Sequence, residues 1–196
     1  MTKTINYYNE HAQDYFIKTG TINFEDKQQQ LLKYLSPGNH ILDFGCGSGR
    51  DALSFIKKGY RVTALDGSIE LCNLASQRLQ IPVRCQEFKA FNDQNQYDAI
   101  FACASLLHVS SQELPMLFNQ LAQALKSEGY LYVSFKYGTF EGVRDGRYFT
   151  DFTIETFEVF QKTVQLFNIV EYQVTTDTLG GRDDLSWLNV ILKKLC

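Results

Sequence analysis

From residue 41 to about residue 136, short apolar runs alternate with stretches whose apolar residues recur every three or four positions. That alternation predicts βαβ units and a mainly parallel sheet. Ile41-Leu42-Asp43-Phe44 predicts a first strand running into a glycine-rich loop. Asp51 to Lys58 predicts a helix with Ala52, Phe55 and Ile56 on one face and Gly59 as its stop. Arg61 to Leu65 predicts the second strand, ending at Asp66-Gly67, and Ser68 is placed to cap a helix reaching about Leu79. Pro82 to Cys85 predicts a short third strand, and Tyr97 to Cys103 a fourth that is apolar enough to be central. A helix from about Gln112 to Leu125 and a fifth strand over Tyr130 to Phe135 follow. Ile154 to Phe160 predicts another helix, and Asn168 to Thr175 and Ser186 to Leu192 predict two closing strands.

Two segments stand outside this alternation. Residues 1–37 are predicted helical, with Tyr7, Tyr8, Tyr15 and Phe16 spaced to share a face. They are read either as a helix packed on the sheet or as a cap over a cleft. Residues 136–153, dense in Gly, Arg, Tyr, Phe and Asp, are predicted as a long loop, the candidate lid or substrate-binding segment.

A length of 196 residues and a hydrophobic fraction of 44% suit one domain over 1–196 with a continuous core. No stretch approaches the roughly 18 unbroken apolar residues of a membrane-spanning helix. Residues 1–8 carry no apolar signal core, so a soluble cytoplasmic protein with no membrane partner is expected. The five cysteines (Cys46, Cys72, Cys85, Cys103 and Cys196) have no metal-ligand spacing, so neither a disulfide framework nor any metal is expected. Cys85 and Cys103, in apolar runs, are expected as small core residues. A net charge of −3 argues against a broad phosphate-binding face, so nucleic acid is not the expected partner.

The strongest chemical signal is Asp43-Phe44-Gly45-Cys46-Gly47-Ser48-Gly49-Arg50-Asp51, placed between a strand and a helix. Ligands of α/β sheets bind at that end of the strands. The glycine spacing is G-x-G-x-G, whereas a dinucleotide fingerprint is G-x-G-x-x-G, and no Lys-Ser/Thr pair makes a P-loop. A pyrophosphate would be repelled by Asp43. S-adenosylmethionine (SAM) has no phosphate and carries an α-amino group that a carboxylate can hold. Asp66, at the end of the second strand, is placed to accept both hydroxyls of a ribose.

These residues resemble the class I SAM-dependent methyltransferases over nearly the whole chain: Ile41 to Asp51, Ala64-Leu65-Asp66-Gly67-Ser68, Gln86-Glu87-Phe88, Tyr97 to Phe101, and Leu125 to Leu131. The resemblance implies a Rossmann-like α/β fold, a seven-stranded mixed sheet of order 3-2-1-4-5-7-6 with strand 7 antiparallel and helices on both faces. It also implies SAM as cofactor and S-adenosylhomocysteine as product. The cofactor-binding set it implies is Asp43, Gly45, Cys46, Gly47, Gly49, Arg50, Asp66 and Gly67, with Glu87 and Phe88 by the adenine, and Ala102 and Ser105 by the methionine part. More narrowly, the chain is similar to the small tellurite-resistance-related methyltransferases. That similarity lies in the N-terminal Tyr-Tyr-Asn, Cys103 to Val109, Ser134 to Gly138, Asp145 to Asp151, and Trp187-Leu188-Asn189.

Methyl transfer from a sulfonium is an in-line displacement, and positioning alone can supply about 7–11 kcal/mol of its barrier. An acceptor that must lose a proton benefits from a base. His108, titrating near neutrality, and Asp151 are the catalytic candidates, each with a structural alternative as a helix-capping residue. Arg144 and Arg147 are candidates for binding an anionic substrate, with Tyr7, Tyr15 and Tyr137 as further substrate-contacting residues. The expected partner is a small-molecule acceptor: a thiol, a chalcogen oxyanion or a small metabolite. The alternatives are a methyltransferase acting on RNA or protein, a SAM-binding protein without catalysis, and an NAD(P)-binding oxidoreductase, the last disfavoured by the glycine spacing.

Overall fold

The computed structural model describes residues 2–177 and 185–195; Cys196 lies outside them. The main sheet has seven strands in the order β3-β2-β1-β4-β5-β9-β8. Their ranges are β1 His40–Phe44, β2 Arg61–Asp66, β3 Arg84–Cys85, β4 Tyr97–Ala102, β5 Leu125–Lys136, β8 Phe167–Thr176 and β9 Ser186–Lys194. The first five run parallel, and β9 lies antiparallel to both β5 and β8. With the separate hairpin of β6 and β7 set aside, this is the expected 3-2-1-4-5-7-6 order.

Alternation along the strands divides the core. Leu42, Phe44, Ile100, Leu131, Val133 and Phe135 face one way, against Phe118 of α6 (Leu114–Ala124) and Phe157 of α7 (Ile154–Val164). Ile41, Ala99, Phe101, Tyr132 and Ile191 face the other way, against Leu31 and Leu32 of α3 (Glu25–Leu32) and Phe55 of α4 (Arg50–Lys57). Each fully buried Leu, Ile, Val or Phe side chain among these contributes about 1.5–3 kcal/mol. The central strands read as unbroken apolar runs because both faces are covered.

Local expectations hold with shifted ends. Ser68 caps α5 (Ile69–Leu79), its hydroxyl accepting from the Leu71 amide at 3.2 Å. The third strand keeps only Arg84 and Cys85 of the four residues expected. The N-terminal region is three helices, α1 Thr2–Glu10, α2 Ala12–Thr19 and α3.

The segment expected to be a long loop is a β-hairpin, β6 Glu141–Arg144 with β7 Arg147–Thr150. Its turn is Asp145-Gly146, both at positive φ (48° and 77°). Asp-Gly in a two-residue turn matches the twist of the flanking strands, so the sequence carried this signal.

Candidate active site

The site forms where β1, β2, β4 and β5 end. At Gly45 the chain turns with φ 81°, and a Cβ there would stand 2.5 Å from the Ser105 Cβ and 3.1 Å from the Phe88 ring. Only glycine lets this loop pass the residues after β4. Gly47, at φ 53°, lies under the Tyr15 ring, which would be 3.1 Å from an added Cβ. Gly49 is the left-handed residue preceding α4 and lines neither of the two cavities at this site.

Two carboxylates flank this loop. Asp66 accepts the Gly47 and Ser68 amides, each at 2.9 Å. Burial pushes its carboxyl above the usual range, and those amides pull the other way. Asp43 is buried and accepts the Ala52 amide at 3.0 Å. Burial, then the nearby Asp51 charge, pushes Asp43 well up, opposed by Arg50. Arg50 bonds Asp51, with Nη2 to Oδ2 at 2.5 Å, and stacks on Phe24 at 3.7 Å. Gln28 reinforces this group from α3, donating to Asp51 at 2.6 Å and accepting from Ser54 at 2.6 Å.

Two adjoining cavities open here, of about 150 Å³ and 60 Å³. The smaller is lined by Asp66, Gly67, Ser68, Phe88 and Ser105. Phe88 is braced by Phe44 at a centroid distance of 4.3 Å. The larger holds Asp43, Cys46, Arg50 and Asp51 at one end and Lys136, Arg147, Phe149, Trp187 and Asn189 at the other. Tyr8, Tyr15, Gly45, Ala104 and His108 line both.

These surfaces fit SAM on physical grounds. A nucleoside suits the apolar ring of Phe88 beside the Asp66 carboxylate. The buried Ser105 hydroxyl, without a hydrogen-bond partner among the described residues, is free to bond a ligand. An α-ammonium would add a second cation beside the buried Asp43, and Arg50, already paired with Asp51, lines the same cavity.

His108 departs from expectation. It is buried, Nδ1 lies 2.6 Å from the Tyr148 carbonyl, and Nε2 lies 2.9 Å from the Tyr8 hydroxyl. A carbonyl only accepts, so Nδ1 carries the proton and Nε2 accepts from Tyr8. Burial lowers its pKa to about 4. His108 is therefore neutral at physiological pH with both nitrogens engaged, which corrects its expected role as a base titrating near neutrality.

Asp151 also departs from its expected role. Both its oxygens accept from Arg144 Nη2 at 2.6 Å, it lines neither cavity, and Thr153 caps α7 in its place. Arg144 is thereby committed to an ion pair rather than to a substrate. Tyr7 and Tyr137 line neither cavity, and nor do Glu87, which pairs with Lys89 at 3.0 Å, and Ala102, which is fully buried. Cys85 is exposed rather than in the core, and Cys103 lines the larger cavity, where burial pushes its thiol up to about 12.

Arg147 is the exception among the expected substrate arginines. It lines the larger cavity and lies 4.7 Å and 5.2 Å from the ring centroids of Tyr7 and Phe149. Among the described residues it forms no ion pair, and its buried Nε has no hydrogen-bond partner. Tyr8 and Lys136, which fall in the expected cap and lid segments, complete the cavity together with Trp187 and Asn189, which were not among the expected site residues. They converge from α1, β5 and β9, and no local motif links them.

Comparison with known proteins agrees with this geometry. Residues 41–129 match a family described as a methyltransferase domain. The chain is 28% identical over 124 residues to the probable S-adenosyl-L-methionine-dependent methyltransferase TehB of Haemophilus influenzae, covering 60% of this chain and 43% of that protein. It is 32% identical over 114 residues to a ubiquinone biosynthesis O-methyltransferase of Coxiella burnetii, covering 55% and 46%. The chain thus spans less than half the length of these relatives. In fold it is similar to the Burkholderia thailandensis 1,6-didemethyltoxoflavin-N1-methyltransferase, solved with 1,6-didemethyltoxoflavin and S-adenosylhomocysteine. That match has a TM-score of 0.82 at 18% identity and covers 100% of this chain and 88% of the other.

Proposed function

We propose, from a chain whose residues 41–129 match a methyltransferase-domain family, that this protein transfers a methyl group from SAM to a small acceptor bearing negative charge. The observation that carries the reading is a pair of adjoining cavities, the smaller lined by Asp66 and the larger by Asp43 and by Arg147, which forms no ion pair among the described residues. Bound SAM would supply an electrophilic methyl on a sulfonium.

The chain's own residues bind and orient. Asp66 would hold the ribose, Phe88 the adenine, and Asp43 with Arg50 the amino acid end. Arg147, its charge delocalised over a planar fork, would take an oxyanion or carboxylate on the acceptor. Neutral His108, held by the Tyr148 carbonyl, fixes the Tyr8 hydroxyl at the boundary between the two cavities. With His108 occupied, the favoured acceptors are those whose nucleophilic atom arrives unprotonated, such as a thiolate, a chalcogen oxyanion or a ring nitrogen.

The N-terminal segment and the hairpin serve as the cleft's cover. The Tyr148 amide donates to the Thr4 hydroxyl at 3.1 Å, Gly146 packs on the Tyr7 ring, and Tyr8 bonds His108. The first two contacts join α1 to the hairpin and the third joins it to His108, and as a cover they would exclude water from the reacting atoms.

Thermal denaturation tests the cofactor reading. SAM or S-adenosylhomocysteine should raise the melting temperature while NAD at equal concentration does not. A shift with NAD and none with SAM would sink the proposal. A panel of thiols, chalcogen oxyanions and small metabolites with methyl-labelled SAM then identifies the acceptor.

A further inference from the structure

We propose that Cys72 and Cys85 are an oxidant-responsive dithiol pair that closes to an intramolecular disulfide behind Asp66. Cys72 sits on α5 with its Sγ 3.4 Å from the Asp66 backbone oxygen and 3.7 Å from that of Arg84. Cys85 follows Arg84 and is the register partner of Asp66 between β2 and β3. Arg84 turns to Asp93, 3.1 Å away, so strand alternation sends Cys85 to the opposite side of the sheet. Val83, two residues earlier on the same side, packs with Ala75 and Leu79 of α5, so Cys85 faces the helix that carries Cys72.

Their surroundings divide the labour. Cys85 is exposed and Cys72 is buried, with burial raising the Cys72 thiol so that it is not the first nucleophile. A peroxide would meet Cys85, converting Cys85–SH and ROOH to Cys85–SOH and ROH. The Cys72 sulfur then attacks the sulfenic sulfur. The S–S bond forms, and the hydroxyl leaves with the Cys72 proton as water. Two electrons from the two thiols reduce one peroxide O–O bond.

Closure would remove the Cys72 bond to the Asp66 carbonyl and draw α5 towards β3. The cap of that helix, Ser68, donates its amide to the Asp66 carboxylate, so cofactor affinity should fall on oxidation. This consequence rests on Asp66 holding the ribose; the disulfide itself does not.

The test treats the full chain with hydrogen peroxide, blocks the remaining thiols with iodoacetamide, and maps the peptides by mass. The expected product has lost two hydrogens and contains a peptide linking positions 72 and 85, absent in both Cys85→Ser and Cys72→Ser. Cys85→Ser, at an exposed position, keeps the test valid if the buried substitution misfolds. S-adenosylhomocysteine should bind the oxidised protein at least about threefold more weakly than the reduced protein. Sulfenic or sulfinic acid at Cys85 alone, or a link through Cys46, overturns the pair. A 72–85 link with unchanged affinity overturns its coupling to the cofactor. Failure of the reduced protein to bind S-adenosylhomocysteine overturns the methyltransferase reading and leaves the disulfide result standing.

Discussion

Replacing Asp43 by asparagine should move stability and cofactor affinity in opposite directions. In the empty protein Asp43 is buried beside Asp51, and both effects push its carboxyl above the unfolded value. The sign follows directly. A carboxyl with a raised folded pKa favours folding while protonated, and that stability is lost as pH rises through the folded pKa. Above its unfolded pKa, Asp43 therefore costs stability relative to an uncharged side chain, at about 1.4 kcal/mol per unit of displacement. Asparagine keeps an oxygen to accept the Ala52 amide, now 3.0 Å from Oδ2, and carries no charge. The empty Asp43→Asn protein should melt at the same temperature as the parent or higher. Cofactor binding should weaken, because a charge-assisted hydrogen bond worth about 1.5–3 kcal/mol is lost, roughly 10- to 150-fold in Kd. Calorimetric titration with S-adenosylhomocysteine at several pH values reads both effects. Parent affinity should fall as pH drops through the raised Asp43 pKa, while the variant's stays flat. Unchanged affinity, or a variant several degrees less stable when empty, would refute the assignment of Asp43 to the α-amino group.

Other substitutions probe the remaining parts. Gly45→Ala places a Cβ 2.5 Å from that of Ser105 at φ 81°, so it should cost at least about 1–2 kcal/mol from the backbone alone and abolish the cofactor-induced melting shift. Arg147→Ala should raise the acceptor's KM about tenfold or more with cofactor affinity nearly intact. Arg144→Ala should instead destabilise the hairpin by stranding Asp151, seen as a lower Tm and not as a KM effect. For His108 the folded pKa of about 4 lies below the unfolded value of about 6.5, so below pH 6.5 the unfolded chain binds the extra proton and stability is lost as pH falls. Denaturant titrations should show the parent losing about 3 kcal/mol more than His108→Gln between pH 6.5 and 4, and equal losses would refute the buried neutral imidazole.

Strand and helix identities were readable because each depends on periodicity within a short window. Ile41 to Phe44, the Ser68 cap and the Gly59 stop appear as read. The glycine loop was equally legible. Gly45 and Gly47 occupy positive φ, and Asp43 and Asp66 come from adjacent parallel strands whose ends the βαβ pattern already implied. The Asp145-Gly146 turn was written in the sequence too, as a local signal for the hairpin.

What lay beyond sequence was each side chain's company. Arg144 and Arg147 flank one turn and are alike in sequence, yet one is neutralised by Asp151 and the other faces the cavity. His108 has the composition of a base, and only the approach of Tyr8 from α1 and of the Tyr148 carbonyl from the hairpin makes it a buried neutral anchor. Cys72 and Cys85 meet because β3 pairs with β2 at Asp66 while α5 returns over the same edge. Secondary structure follows from near neighbours along the chain, whereas charge state and hydrogen-bond partners depend on burial and on groups 40 to 100 residues away.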